Sequence, residues 1–108
     1  MNKEQKNSDH KNFLVILGGG ESGVGTAILG KKEGYRVFVS DKGKITASYK
    51  QLLEEQQIEW EEEKHSEEKI FEADLVMKSP GIPEDAPLVG LIRGKGIPVI
   101  SEIEFASR

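Results

Sequence analysis

The chain has 108 residues, no cysteine and a formal net charge of -4, a size typical of one domain. The lack of cysteine excludes disulfides and thiolate metal sites, and the acidic balance argues against a nucleic-acid-binding surface. Residues 1–12 lack the apolar centre of a signal peptide and no apolar run is long enough to cross a membrane, so we expect a disordered polar tail, one domain over residues 13–108 and a cytoplasmic location.

The first half of the domain alternates between strands and helices. Phe13–Leu17 is a continuous apolar run, typical of a central parallel strand that is buried on both faces. Apolar residues at helical spacing then predict a helix over Ser22–Glu33, which ends at Gly34. A second short apolar run predicts a strand over Arg36–Ser40, and a second helical pattern covers Thr46–Gln56.

The middle of the chain predicts an edge strand, a short helix and a central strand. Ile58–Glu61 alternates apolar and charged residues, which indicates an edge strand with one solvent-exposed face. Ser66 can cap a short helix, and two glutamates follow it in the first turn, where the helix dipole favours acidic residues. Ala73–Lys78 is again apolar and predicts a buried strand.

The last part of the chain predicts two helices on either side of an edge strand. Asp85 is expected to cap the first helix. The apolar stripe of that helix is predicted to consist of Leu88, Leu91 and Ile92. Ile97–Ile100 reads as the other edge strand, because Pro98 within it cannot donate a ladder hydrogen bond. Ser101 and Glu104 have the spacing of a capping box.

This alternation predicts an α/β, Rossmann-like three-layer fold with helices on both faces of a five-stranded parallel sheet. The two expected edges favour the strand order 3-2-1-4-5. Strands one and four then diverge at the centre, and ligands bind such sheets beyond the carboxyl ends of the strands at that point. We therefore expect three loops to meet there, namely Gly18–Gly25, Asp41–Gly43 and Ser79–Pro83.

The first loop carries the strongest binding motif. Gly18, Gly20 and Gly23 have the spacing of a dinucleotide-binding turn between a strand and a helix. Such a turn points backbone N–H groups and the positive end of a helix at a phosphate. Glu21 is unusual there, because a carboxylate repels a diphosphate; it must point away, or the ligand must bind N–H groups alone. The alternative is a glycine-rich turn that binds nothing.

The second loop offers a carboxylate and a cation. Asp41 follows the second strand, where an acidic residue can accept hydrogen bonds from a ribose or another part of a nucleotide. The alternative is a purely structural Asx turn with Gly43. Lys42 can supply a cation to a phosphate, although a solvated loop lysine fits the sequence equally well.

The third loop is rich in proline and glycine. Ser79, Pro80 and Gly81 lie at the tip of the fourth strand, and the glycine would let a flat ring approach the backbone. The alternative is a rigid connector. The sequence offers no nucleophile with a neighbouring base, no paired catalytic acids and no cluster of metal ligands, so we predict neither a catalytic residue nor a metal site.

Four elements together resemble the N-terminal domain of the Mur ligase family. The resemblance covers about residues 13–107 and favours the member that adds D-glutamate over the one that adds L-alanine. The elements are Gly18–Gly23, Ser40-Asp41, Lys78-Ser79-Pro80-Gly81-Ile82 and Ser101-Glu102-Ile103-Glu104-Phe105.

The resemblance implies binding of UDP-MurNAc-L-alanine. Glu21 and Ser22 would contact the uridine and diphosphate, Asp41 and Lys42 would border the uracil, and Gly81 would pack against it. The position of Gly43 can be an arginine in the family, so Lys42 would have to replace that cation.

The resemblance also implies that other domains of a longer polypeptide bind the remaining substrates. A central ATPase domain would hold ATP and Mg²⁺, and a third domain would help to bind D-glutamate. The chain would be part of a ligase yet inactive alone, with no cofactor of its own. Two alternatives stay open on the residues: an NAD(H)-binding regulatory or redox module, and an interaction domain with an empty cleft.

Overall fold

The computed structural model describes residues 12–107, so most of the expected tail lies outside the described residues. Five strands alternate with five helices: β1 (Phe13–Leu17), α1 (Glu21–Lys32), β2 (Arg36–Ser40), α2 (Ala47–Glu55), β3 (Glu59–Glu61), α3 (Glu67–Ile70), β4 (Leu75–Lys78), α4 (Pro87–Gly94), β5 (Val99–Ile100) and α5 (Glu102–Ala106). None of the helices in this part of the chain is both long and apolar enough to span a bilayer.

All five strands form one parallel sheet in the order β3-β2-β1-β4-β5. The predicted order is therefore confirmed. β1 lies in the middle and pairs along its length with β2, from Phe13 opposite Arg36 to Leu17 opposite Ser40. Every residue of β1 is buried, as its continuous apolar sequence predicts for a strand covered on both faces.

Side chains of β1 alternate between two apolar cores, one on each face of the sheet. Leu14 and Ile16 pack with residues of α1, α2 and α5, whereas Val15 and Leu17 pack with residues of α3 and α4. Helices therefore cover both faces, which confirms the three-layer prediction. The two cores hold the sheet rigid and fix the positions of the loops at its carboxyl edge.

The predicted boundaries agree with the structure to within two residues. β5 is reduced to Val99–Ile100, because Pro98 contributes only its carbonyl to the ladder, accepting from Val76 N–H at 3.0 Å. The capping box of α5 is confirmed: Glu104 N–H donates to Ser101 Oγ at 3.1 Å, and Ser101 N–H donates to Glu104 Oε1 at 2.8 Å.

Two details of the predicted helices are wrong. Asp85 does not cap α4: the N-cap residue is Ala86, because Pro87 occupies the first helical position, where its fixed φ and missing N–H suit the first turn. The apolar stripe also differs, since Val89 is fully buried and Leu91 is 51% exposed. Ser66 does stand at the N-cap of α3, but no side-chain hydrogen bond caps that helix.

Candidate nucleotide-binding site

The three predicted loops meet at the carboxyl edge of the sheet. Gly18 N–H donates to the carbonyl of Ser40 at 2.8 Å, and Ser79 N–H donates to the carbonyl of Leu17 at 3.0 Å. Gly19 N–H donates to Asp41 Oδ2 at 2.7 Å, which joins the first loop to the second. The two backbone hydrogen bonds extend the ladders between β1 and its neighbours β2 and β4 beyond the ends of the strands. Together with the Asp41 bond they bring the three loops close to one another.

A cavity of about 870 Å³ lies between these loops. Nine of the ten predicted site residues line it, and Gly23 is the exception because it is buried beneath the turn. The nine are Gly18, Gly20, Glu21, Ser22, Asp41, Lys42, Ser79, Pro80 and Gly81. The volume lies within the range of small-molecule sites.

The glycine turn depends on the absence of side chains at two positions. Gly18 has a φ of +104°, a conformation that L side chains rarely adopt. A Cβ on Gly23 would lie 1.8 Å from the carbonyl oxygen of Gly18, so only glycine lets α1 approach the turn this closely. A Cβ on Gly20 would meet no atom within 4 Å, so the backbone there is open to the cavity.

Backbone amides at the start of α1 are available to a ligand. The first hydrogen bond of the helix runs from Val24 N–H to the carbonyl of Gly20 at 2.9 Å, and no side chain caps the helix. Within residues 12–107, the N–H groups from Gly20 to Gly23 therefore have no hydrogen-bond acceptor. Together with the positive end of the helix dipole, unpaired amides of this kind can attract an anion.

Asp41 forms an Asx turn and also stabilises the glycine turn by a hydrogen bond. Its Oδ1 accepts a hydrogen bond from Gly43 N–H at 2.8 Å, as one of the sequence interpretations supposed, and its Oδ2 accepts from Gly19 N–H. Each carboxylate oxygen can accept a second hydrogen bond. Asp41 therefore shapes the site and retains the capacity to accept from a ligand hydroxyl or ring N–H.

The polar side chains near the glycine turn differ in their freedom. Lys42 and Glu21 are exposed at the cavity and form no ion pair within the described residues. Ser22 Oγ donates to Glu102 Oε1 at 2.9 Å, so its hydrogen is directed towards α5. Only its oxygen lone pairs remain for a ligand.

Sequence reasoning missed the loop that follows β3. Glu63, Lys64, His65 and Glu67 line the cavity beside Asp41 and Lys42. The signal was available, because the carboxyl end of β3 lies at the same edge of the sheet as those of β1 and β2. With this loop included, acidic residues outnumber lysines at the cavity, so the backbone amides must provide most of the attraction for an anion.

A buried lysine fixes the loop on the opposite wall. The Lys78 side chain is only 9% exposed and lies 3.4 Å from the carboxylate of Glu84. Its Nζ donates to the carbonyl of Ile82 at 2.7 Å. Hydrogen bonds from Arg93 and Lys78 lower the pKa of Glu84, so the carboxylate remains charged. This arrangement holds Ser79–Pro83 against the cavity and leaves Gly81 exposed to it.

Within residues 12–107, no group of three or more His, Asp or Glu side chains could hold a metal ion. A smaller cavity of about 410 Å³ lies at the opposite edge of the sheet, between Asn12, Tyr35 and Phe105, and none of the predicted site residues lines it. The larger cavity is thus the candidate site for a nucleotide-like ligand.

Comparison with known proteins assigns the chain to a family. A family model described as "MurD N-terminal domain" matches residues 11–88. The chain is 67% identical over 94 residues to UDP-N-acetylmuramoylalanine--D-glutamate ligase of Christiangramia forsetii. The aligned region covers 87% of this chain and 21% of that protein. It is 57% identical over 95 residues to the protein of the same name from Bacteroides thetaiotaomicron. This alignment covers 88% of this chain and 21% of the relative.

Solved structures agree on the fold. A murein peptide ligase from Psychrobacter arcticus superposes with a TM-score of 0.78 at 22% identity, covering 89% of this chain and 20% of that one. A UDP-N-acetylmuramate-alanine ligase from Thermotoga maritima gives a TM-score of 0.73 at 22% identity, and the match covers 88% of this chain and 22% of that one. The chain spans about a fifth of the length of the curated relatives that it matches. From its fold, its glycine turn and the family match over residues 11–88, the chain belongs to the MurD N-terminal domain family.

Proposed function

We propose that this chain binds the uridine diphosphate part of UDP-MurNAc-L-alanine and belongs to a ligase that adds D-glutamate to this peptidoglycan precursor. The observation that carries the proposal is the set of unpaired amides of Gly20, Glu21 and Ser22, three residues that line the cavity where three loops meet. The name of the relatives, UDP-N-acetylmuramoylalanine--D-glutamate ligase, supports the choice of substrate.

The diphosphate is proposed to bind at the start of α1. Amides at a helix N-terminus attract an anion without any need for a lysine or arginine. This fits a cavity in which carboxylates outnumber lysines, and it fits Glu21, whose exposed side chain can turn to solvent while its N–H faces the ligand. Lys42 and Lys64 are the exposed lysines that line the same cavity.

The uridine is proposed to lie between the second and third loops. Asp41 offers acceptor oxygens for a ring N–H or a ribose hydroxyl. Gly81 presents backbone without a side chain on the opposite wall, where a flat ring can approach closely. Both residues belong to loops that the hydrogen bonds of Lys78 and Gly19 hold in place.

ATP, Mg²⁺ and the central ATPase domain are proposed to belong to the rest of a longer cytoplasmic polypeptide. The family resemblance suggests that ATP phosphorylates the substrate carboxylate and that the amine of D-glutamate then attacks the acyl phosphate. Among residues 12–107, no group of three or more His, Asp or Glu side chains could hold a metal ion. We therefore expect the purified 108-residue chain to form no amide bond with ATP.

Thermal denaturation with candidate ligands tests the proposed function. The panel comprises UDP-MurNAc-L-alanine, UDP, NADH and ATP. A ligand at about a hundred times its Kd adds about 2.7 kcal/mol to stability, which corresponds to a rise in Tm of roughly 10 to 20 °C for a domain of this size. We expect this rise with the two uridine nucleotides and none with NADH or ATP.

Two results would contradict the proposal. A rise in Tm with NADH alone would favour the NAD(H)-binding module, which also explains the glycine turn and Asp41. No effect from any of the four ligands would favour an interaction domain whose cleft binds no nucleotide.

A further inference from the structure

His65 lies on the wall of the cavity with one ring nitrogen engaged and the other free. Its Nδ1 is 2.7 Å from the hydroxyl oxygen of Ser40, which is completely buried. Within residues 12–107 Nε2 has no hydrogen-bond partner, although the side chain is half-buried. The arrangement leaves a polar atom of His65 unpaired at the cavity.

The neighbouring carboxylate determines which nitrogen carries the proton. Glu61 Oε2 accepts from the Ser40 hydroxyl at 2.7 Å and from Ser66 N–H at 2.7 Å, and Oε1 accepts from the Ser66 hydroxyl at 2.5 Å. Burial alone would raise the pKa of Glu61, but hydrogen bonds from Ser40 and Ser66 outweigh burial and lower its pKa. Glu61 is therefore a charged, acceptor-only partner.

Ser40 has one hydroxyl hydrogen and two partners at 2.7 Å, Glu61 and His65, while the carbonyl of Lys64 lies farther away at 3.3 Å. If that hydrogen pointed to His65, the oxygens of Ser40 and Glu61 would face each other at 2.7 Å without a hydrogen between them. The hydrogen therefore goes to Glu61, and Nδ1 of His65 must donate to Ser40. In a neutral imidazole with hydrogen on Nδ1, Nε2 is an acceptor.

The neutral form of the imidazole is favoured near neutral pH, because the pKa of His65 lies below its ordinary value. Burial lowers the pKa of His65 below its ordinary value, despite the opposing carboxylates of Glu61 and Asp41. The segment is also fixed beside the second loop, since Lys64 N–H donates to the carbonyl of Asp41 at 3.2 Å and Glu63 N–H donates to that of Gly43 at 2.8 Å. The free acceptor thus lies next to the proposed uridine position.

We infer that Nε2 of His65 accepts a hydrogen bond from the nucleoside part of the ligand and thereby helps to select uridine. The inference rests on the proposed function and adds a specificity-determining residue to the same site. The ligand group that donates this hydrogen bond is either the ring N–H of uracil or a ribose hydroxyl. The Ser40 and Glu61 side chains act through His65 by fixing its tautomer.

Two variants of His65 separate the ligand contact from the structural contact. His65→Asn keeps an N–H donor near Ser40 but cannot reach the position of Nε2, whereas His65→Gln can place an acceptor oxygen near that position. By titration calorimetry we expect UDP to bind the asparagine variant roughly tenfold more weakly than the original chain. We expect the glutamine variant to bind within about threefold of the original chain.

Analogues of UDP identify the donor. We test 3-methyl-UDP, which lacks the ring N–H, and the 2′-deoxy and 3′-deoxy forms, which each lack one ribose hydroxyl. The analogue without the recognised donor should bind the original chain and His65→Asn equally, because the interaction is already absent. If His65→Asn weakened all three analogues as much as UDP, His65 would contact none of these donors and the inference would be wrong.

Nitrogen NMR of the original chain tests the inference without any variant. With ¹⁵N-labelled histidine, Nε2 of His65 should be unprotonated in the free chain and should shift on addition of UDP as it accepts a hydrogen bond. A proton on Nε2 in the free chain would overturn the inference, and so would an unmoved Nε2 when calorimetry shows that UDP binds. Failure of UDP to bind the original chain would instead overturn the proposed function, and this inference with it.

Discussion

Replacing Gly23 with alanine is expected to lower the free energy of unfolding by about 3 kcal/mol. The new Cβ would lie 1.8 Å from the Gly18 carbonyl oxygen and 3.2 Å from Cγ2 of Ile16. A rotamer change cannot relieve the first contact, because the Gly18 oxygen belongs to the backbone. Gly18 is itself fixed by its φ of +104° and by the hydrogen bond of its N–H to Ser40. Urea denaturation of the variant measures the loss.

Gly25→Ala is the matched control in the same helix. A Cβ at Gly25 meets no atom within 4 Å, and alanine favours a helix interior over glycine by roughly 0.5–1 kcal/mol. This variant should therefore be slightly more stable than the original chain. Equal stability of the two alanine variants would show that α1 does not approach the glycine turn as described.

Replacing Gly81 with valine is expected to weaken UDP binding about 10- to 100-fold while leaving the fold intact. Gly81 is exposed at the cavity, its φ lies outside the left-handed region, and a Cβ there meets no protein atom within 4 Å. The added side chain would instead occupy ligand space, and overpacking of this kind costs about 1–3 kcal/mol. Calorimetry with UDP measures the affinity, and urea denaturation measures the stability.

Gly90→Val provides the comparison for this variant. Gly90 is also exposed with no atom within 4 Å of a Cβ, but it does not line the cavity. Its substitution should leave the affinity for UDP unchanged. Unchanged affinity in Gly81→Val as well would remove Gly81 from the site.

The sheet and most of the site could be predicted because a few local signals determine them. The apolar run of β1 and the glycines behind it indicate a central strand and a tight turn, and they do so without knowledge of the rest of the chain. Once the strand order is known, the loops after β1, β2 and β4 must share one edge. The cavity and its lining by Gly20, Asp41 and Gly81 follow from that geometry.

Features that depend on tertiary packing could not be predicted in the same way. In α4 the packing against the sheet buries Val89 and Ile92, and Leu91 is left exposed on the cavity side. The role of His65 depends on Ser40 and Glu61, which meet only when β2 and β3 pair. In the sequence alone His65 is a polar residue in an acidic loop.

The central claim is that backbone amides at the start of α1 bind the diphosphate. A titration of the ¹⁵N-labelled chain with UDP, followed through the amide resonances, tests it most directly. The account predicts that the amides of Gly20, Glu21 and Ser22 shift downfield as they donate to the anion, while that of Gly34, at the far end of α1, does not move. Binding of UDP with those three amides unchanged, or with the largest shifts around Tyr35 and Phe105, would contradict it.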